Sequence, residues 1–130
     1  MHSAEEIYNG KQMKNHHGGV ILLGDHLYGL DDPGTLKCME LKTGKVVWEN
    51  KSVGKGSIAY ADGHFVVRAE NEKKAEIALV EATPEGYKET GRFTQPDLSG
   101  QKTWPHPVIF GGKMYIRDHD VLLCYDVKAK

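Results

Sequence analysis

At 130 residues, with 17 basic and 18 acidic side chains, the chain has room for one modest core. It lacks the concentrated cationic face that binding to nucleic acid requires. Fifteen glycines beside an ordinary hydrophobic fraction of 39% describe a folded chain with many turns, not a disordered one. No apolar run approaches the length of a membrane-spanning helix. The opening MHSAEEIYNG has no basic start followed by an apolar stretch, so no signal peptide is expected.

The first element is a short strand-like piece, AEEIYNG, with Ile7 and Tyr8 as its apolar residues. From Gly18 the stretch GGVILLGDHLYGL reads as two strands around Gly24-Asp25. A third strand, LKCMEL from Leu36, ends on an acidic residue; Thr43-Gly44 then turns into a fourth strand with Val46, Val47 and Trp48. The same order recurs. GSIAYADGHFVVRA from Gly56 turns at Asp62-Gly63, IALVEA follows from Ile77, and Pro84-Glu85-Gly86 leads into Tyr87 to Phe93. The segment from Asn71 to Val80 clumps its charges and then turns to β-formers, so a long hairpin connection is expected there and no helix. A last unit, PHPVIFGGKMYIRD from Pro105, turns at Gly111-Gly112 and continues into LLCYDV. Asp-Gly and Gly-Gly suit two-residue hairpin turns, whose backbones need positive φ.

Glu40, Glu81 and Asp126 are equivalent in this repeat, as are Met39, Val80 and Tyr125, and Cys38, Leu79 and Cys124. Two cysteines at matching places inside apolar strand patterns read as buried free thiols in different units, not as a bridge. Four-stranded units at roughly 40-residue spacing make the expected fold class all-β, built of antiparallel β-propeller blades. A β-sandwich of about a dozen strands is the competing architecture. The expected division is residues 1–10 as an unpaired fourth strand, 16–50 as a first blade, 54–94 as a second, and 103–130 as a third without its fourth strand. Pairing residues 1–10 with the third blade removes an open sheet edge. Natural rings have at least four blades, so the expected assembly is either six blades from two chains or the remainder of a longer propeller.

The run LKCMELKTGKVVW, from Leu36 to Trp48, resembles the repeat of the pyrroloquinoline-quinone-type propeller family. That repeat has a third strand ending near an acidic residue, then Thr-Gly-Lys, two variable residues and Trp. WPHPVIFGGKMYIRDHDVLLCYDVK is similar to the closing blade of quinone-free propellers in large secreted or periplasmic bacterial proteins. The resemblance implies a bacterial parent of several more blades, secreted or periplasmic. In physical terms, Thr43 bonds backbone within the turn, Gly44 supplies positive φ beside Lys45, and Trp48 offers a flat surface between neighbouring sheets. Those four residues therefore specify blade docking and no cofactor. Quinone enzymes of similar frame hold calcium with Glu, Asn and Asp. Here Asn15, Asp62 and Asp118 are the only loosely suitable groups, and no cofactor is expected.

The candidate functional residues cluster near the innermost strands, whose ends reach the mouth where propellers bind. His16 and His17 immediately precede the first innermost strand, and His106 is expected one or two residues into the last one. Imidazoles there could converge on zinc, copper or nickel, but no HxH or HExxH spacing defines a site. Packed or solvated histidines are the plainer reading. Trp104 and Tyr60 are candidates for the floor of a mouth pocket, or simply packing aromatics. Arg117 with Asp118, His119 and Asp120 reads as a solvated turn or a polar binding spot. His119-Asp120 lacks an activated serine, since Ser3, Ser52, Ser57 and Ser99 have no nucleophile-elbow context. The function read from these residues is a non-catalytic scaffold or binding module that self-assembles by strand exchange and blade packing. The alternative is a fragment of a quinone-dependent dehydrogenase-like propeller.

Overall fold

The computed structural model describes residues 2–129; the expected spans 1–10 and 103–130 begin and end on residues outside it. No helix occurs among the described residues, and the strands form three separate antiparallel sheets. The first holds β1 (Val20–Leu23), β2 (His26–Leu30), β3 (Leu36–Glu40) and β4 (Val46–Asn50) in that order. The second holds β5 (Gly56–Ala61), β6 (His64–Ala69), β7 (Glu76–Glu81) and β8 (Glu89–Thr94). The third has β9 (Val108–Phe110), β10 (Lys113–Asp118) and β11 (Val121–Asp126).

Turn chemistry sets the registers. Ala61 faces His64 across Asp62-Gly63, with φ of 49° and 73°, and Phe110 faces Lys113 across Gly111-Gly112, with φ of 58° and 76°. Both are therefore turns with two positive-φ residues, whose twist matches that of the flanking strands. Leu23 faces His26 across Gly24-Asp25, where only the glycine has positive φ. The ladders β3–β4 and β7–β8 slip at equivalent places, between Cys38 and Met39 and between Leu79 and Val80. Such a bulge adds twist and re-aims the strand's side chains.

The sheets stack face to face with β1, β5 and β9 side by side, so these three are the innermost strands. Tyr28, Leu30, Leu36 and Cys38 of the first sheet pack on Phe65, Val67, Ala78 and Val80 of the second. Val66 and Ile77 on the second sheet's other face pack on Met114 and Ile116 of the third. Burial on both faces explains why HFVVRA reads as a continuous apolar run, whereas β11 alternates. The stack has two ends. The tight hairpins at 24–25, 62–63 and 111–112 share one; the connectors 11–19, 51–55 and 95–107 share the other.

Three expectations are corrected by the packing. Residues 2–10 form no strand in this chain: the β11 edge belongs to the third sheet, on the far side of the second from the sheet they touch. Ile7 is exposed, and Tyr8 lies over the Gly44 turn with its hydroxyl donating to Leu41 O at 2.8 Å. Cys38 is buried, but Cys124 is exposed. The equivalent Leu79 is 39% exposed as well. Sequence alternation marks a sheet face, and whether that face is covered depends on its neighbouring sheet. Finally, His106 precedes β9, whose first residue is Val108, instead of lying within it.

Candidate functional site at the connector mouth

The loop NHHGG, residues 15–19, is closed on itself. Asn15 donates to Gly19 O and Leu30 O, and Gly19 N donates back to Asn15 Oδ1. Gly18 fits because it has no side chain: a Cβ there would lie 2.4 Å from Gly56 O. This close approach brings the histidine pair over the end of the second sheet. His17 Nε2 sits 2.8 Å from Glu70 Oε2, and the other carboxylate oxygen accepts the Trp104 indole N–H at 2.5 Å. The Trp104 ring lies 5.9 Å from that of His17 and 6.3 Å from that of His16. His106 Nε2 bonds the carbonyl of His17 at 2.7 Å, so that nitrogen carries the proton.

Burial alone would raise the Glu70 carboxyl. Hydrogen bonds from His17 and Trp104, with the charges of His17 and Lys55, leave it below the usual carboxylate range. Lys55 Nζ is 3.8 Å from Glu70 and 3.6 Å from Asp32. One donor atom each from His16, His17 and Glu70 lie within 4.8 Å of one another. Among the described residues, His17 Nδ1 is buried with no hydrogen-bond partner.

His16, His17, Trp104 and His106 thus meet at one place, while Arg117 and His119 do not join them. Those two share a tight turn in which Arg117 Nε donates to His119 O and His119 has φ of 53°. Tyr60 packs on Phe65 near the hairpin end of β5, away from Trp104. Asn15 closes its own loop, Asp62 sits in a hairpin at the opposite end, and Asp118 is buried. They form no calcium set, so these residues do not fit a quinone–calcium centre. In the turn after β3, Gly44 N donates to Glu40 O and Lys45 N to Thr43 Oγ1. The Trp48 indole lies between the first two sheets, 6.2 Å from Tyr28 and 6.1 Å from Tyr87, and donates to Thr83 O.

Glu70 carries no motif in the sequence. Nor does the buried network between the second and third sheets. Arg68, 1% exposed, donates to Pro105 O, Arg117 O and Gln95 Oε1. Gln95 Nε2, Ser99 N and the Ser99 hydroxyl all donate to Asp118. Burial would raise Asp118, but the bonds from Ser99 and Gln95 and the charge of Arg68 hold it below its ordinary value. The one available signal was an arginine inside an apolar strand run.

No protein-family model and no curated protein matches the sequence. Among solved structures, BamB from Moraxella catarrhalis is similar, with a TM-score of 0.61 at 14% identity over 83% of this chain. The chain folds as β-propeller blades. It spans about a third of the BamB chain, 32%, and identity this low carries the fold and nothing about activity. The three sheets are accordingly called blades one to three below.

Proposed function

We propose that the chain is a non-catalytic propeller module that closes a ring against a second copy and uses its connector mouth to bind. The observation that carries the assembly is Tyr8. Its hydroxyl donates to Leu41 O beyond β3 of blade one, much as the Trp48 indole of blade one donates to Thr83 O beyond β7 of blade two. The segment before blade one therefore lies where the outer strand of a preceding blade would lie. At the other flank, blade three exposes Val108, Phe110 and Leu122, and among described residues no strand pairs with β11 on its outer side.

The two flanks are complementary. Blade three of a second copy fits beside residues 2–14, and residues 2–10 are then placed to pair with its β11. Doing this twice gives six blades with two-fold symmetry and no open edge. The repeat resemblance of Leu36 to Trp48 supports the same docking mode. The mouth itself offers imidazoles, an indole and a carboxylate drawn together, groups suited to holding a ligand.

Light scattering behind a sizing column, over a dilution series, tests the assembly. A species of twice 14.5 kDa is expected, and Phe110→Glu should convert it to monomer. A chain that stays monomeric at every concentration overturns self-assembly. A second reading is favoured by the 32% coverage of BamB: the same two flanks would meet further blades of a longer chain.

A further inference from the structure

We propose that His16, His17 and Glu70 bind one divalent transition-metal ion, zinc or a metal of similar preference, at the connector mouth. The donor set is two imidazoles and a carboxylate. That combination suits zinc, and disfavours magnesium and calcium, which prefer all-oxygen shells. Ligands around a tetrahedral zinc stand about 3.3 Å apart, given metal–ligand distances near 2.0–2.1 Å. His17 and Glu70 are already 2.8 Å apart, and all three donors fall within 4.8 Å. Small side-chain adjustments bring the three donors to that spacing.

The surroundings are those of a supported ligand set. Trp104 fixes the second oxygen of Glu70, His106 holds the backbone of His17, and Asn15 locks the loop that carries both histidines. Partners of this kind orient metal ligands and raise affinity. His16 is exposed, which leaves the remaining coordination position open to water or to an oxygen of a bound ligand. Lys55, 3.8 Å from Glu70, opposes the cation and is the chief charge against it. The site lies within one chain, so it stands whether or not the ring forms.

The test titrates untagged protein at neutral pH with cobalt, followed by its visible absorption, and with zinc, followed by calorimetry. One ion per chain is expected, with cobalt absorption of the tetrahedral type. His16→Gln and Glu70→Gln should each weaken binding by about tenfold or more, and Lys55→Met should strengthen it. His119→Ala, outside the cluster, should leave it unchanged. His16 is exposed, so His16→Gln reports on the site without threatening the fold. No saturable binding below about 1 mM ion overturns the proposal. So does binding indifferent to both His16→Gln and Glu70→Gln, or binding lost only in His2→Ala. Mass and metal stoichiometry are read separately, so failure of the ring and failure of this site cannot be confused.

Discussion

Replacing Asp118 by alanine tests what holds blade three against blade two. Asp118 is fully buried and accepts from Gln95 Nε2 at 2.8 Å, from Ser99 N at 3.1 Å and from the Ser99 hydroxyl. Hydrogen bonds to a charged group contribute about 1.5–3 kcal/mol each, but bonds in one network do not add. Arg68 makes no direct ion pair with Asp118 and bonds only the neutral acceptors Pro105 O, Arg117 O and Gln95 Oε1. Alanine would, however, leave Gln95 Nε2 and Ser99 N without their acceptor, at about 1–3 kcal/mol for each buried group left unsatisfied. The expected loss is therefore about 3–4 kcal/mol, from the lost bonds and the unsatisfied donors together. Asp118→Asn keeps the shape and one acceptor, and should cost about half as much. Urea unfolding followed by tryptophan fluorescence measures both. If Asp118→Ala costs less than about 1 kcal/mol, the network is not what docks the blade.

The same carboxylate makes stability pH-dependent. Its folded-state pKa is depressed, so its contribution is fully present above the unfolded value of about 3.9 and is lost as pH falls through the lower folded value. Asp118→Asn should flatten the acid limb of an unfolding profile; an unchanged limb refutes this. Trp48→Ala removes a half-buried indole and its bond to Thr83 O. It should cost about 2–3 kcal/mol, below the ~3–5 of a full core site, visible as a lower thermal midpoint. Gly44 has φ of 69°, and a Cβ there would meet the Tyr8 ring at 2.8 Å. Gly44→Ala should cost about 1–2 kcal/mol from the backbone alone and release Tyr8, read as faster amide exchange in residues 8–14.

Much of the fold was open to reading because the turns and the alternation are local. Gly24-Asp25, Asp62-Gly63 and Gly111-Gly112 fall where hairpins form, and the aligned third strands share a bulge. His16, His17, Trp104 and His106 could be singled out one by one, from their places before the innermost strands. Glu70 could not, because its link to them is made by a connector of blade two meeting the loop before blade one. Cys124 failed for a related reason. Its strand alternates correctly, but no blade lies over that face among the described residues.

The sequence by itself determined the strands, their tight turns and the repeat, since backbone conformation and period-two patterning depend on neighbours along the chain. Only the tertiary structure decided which faces are covered, where Tyr8 docks, and that Arg68, Gln95, Ser99 and Asp118 form one buried network. Those outcomes depend on contacts between residues far apart in sequence, where burial and charge act through space and leave no pattern along the chain.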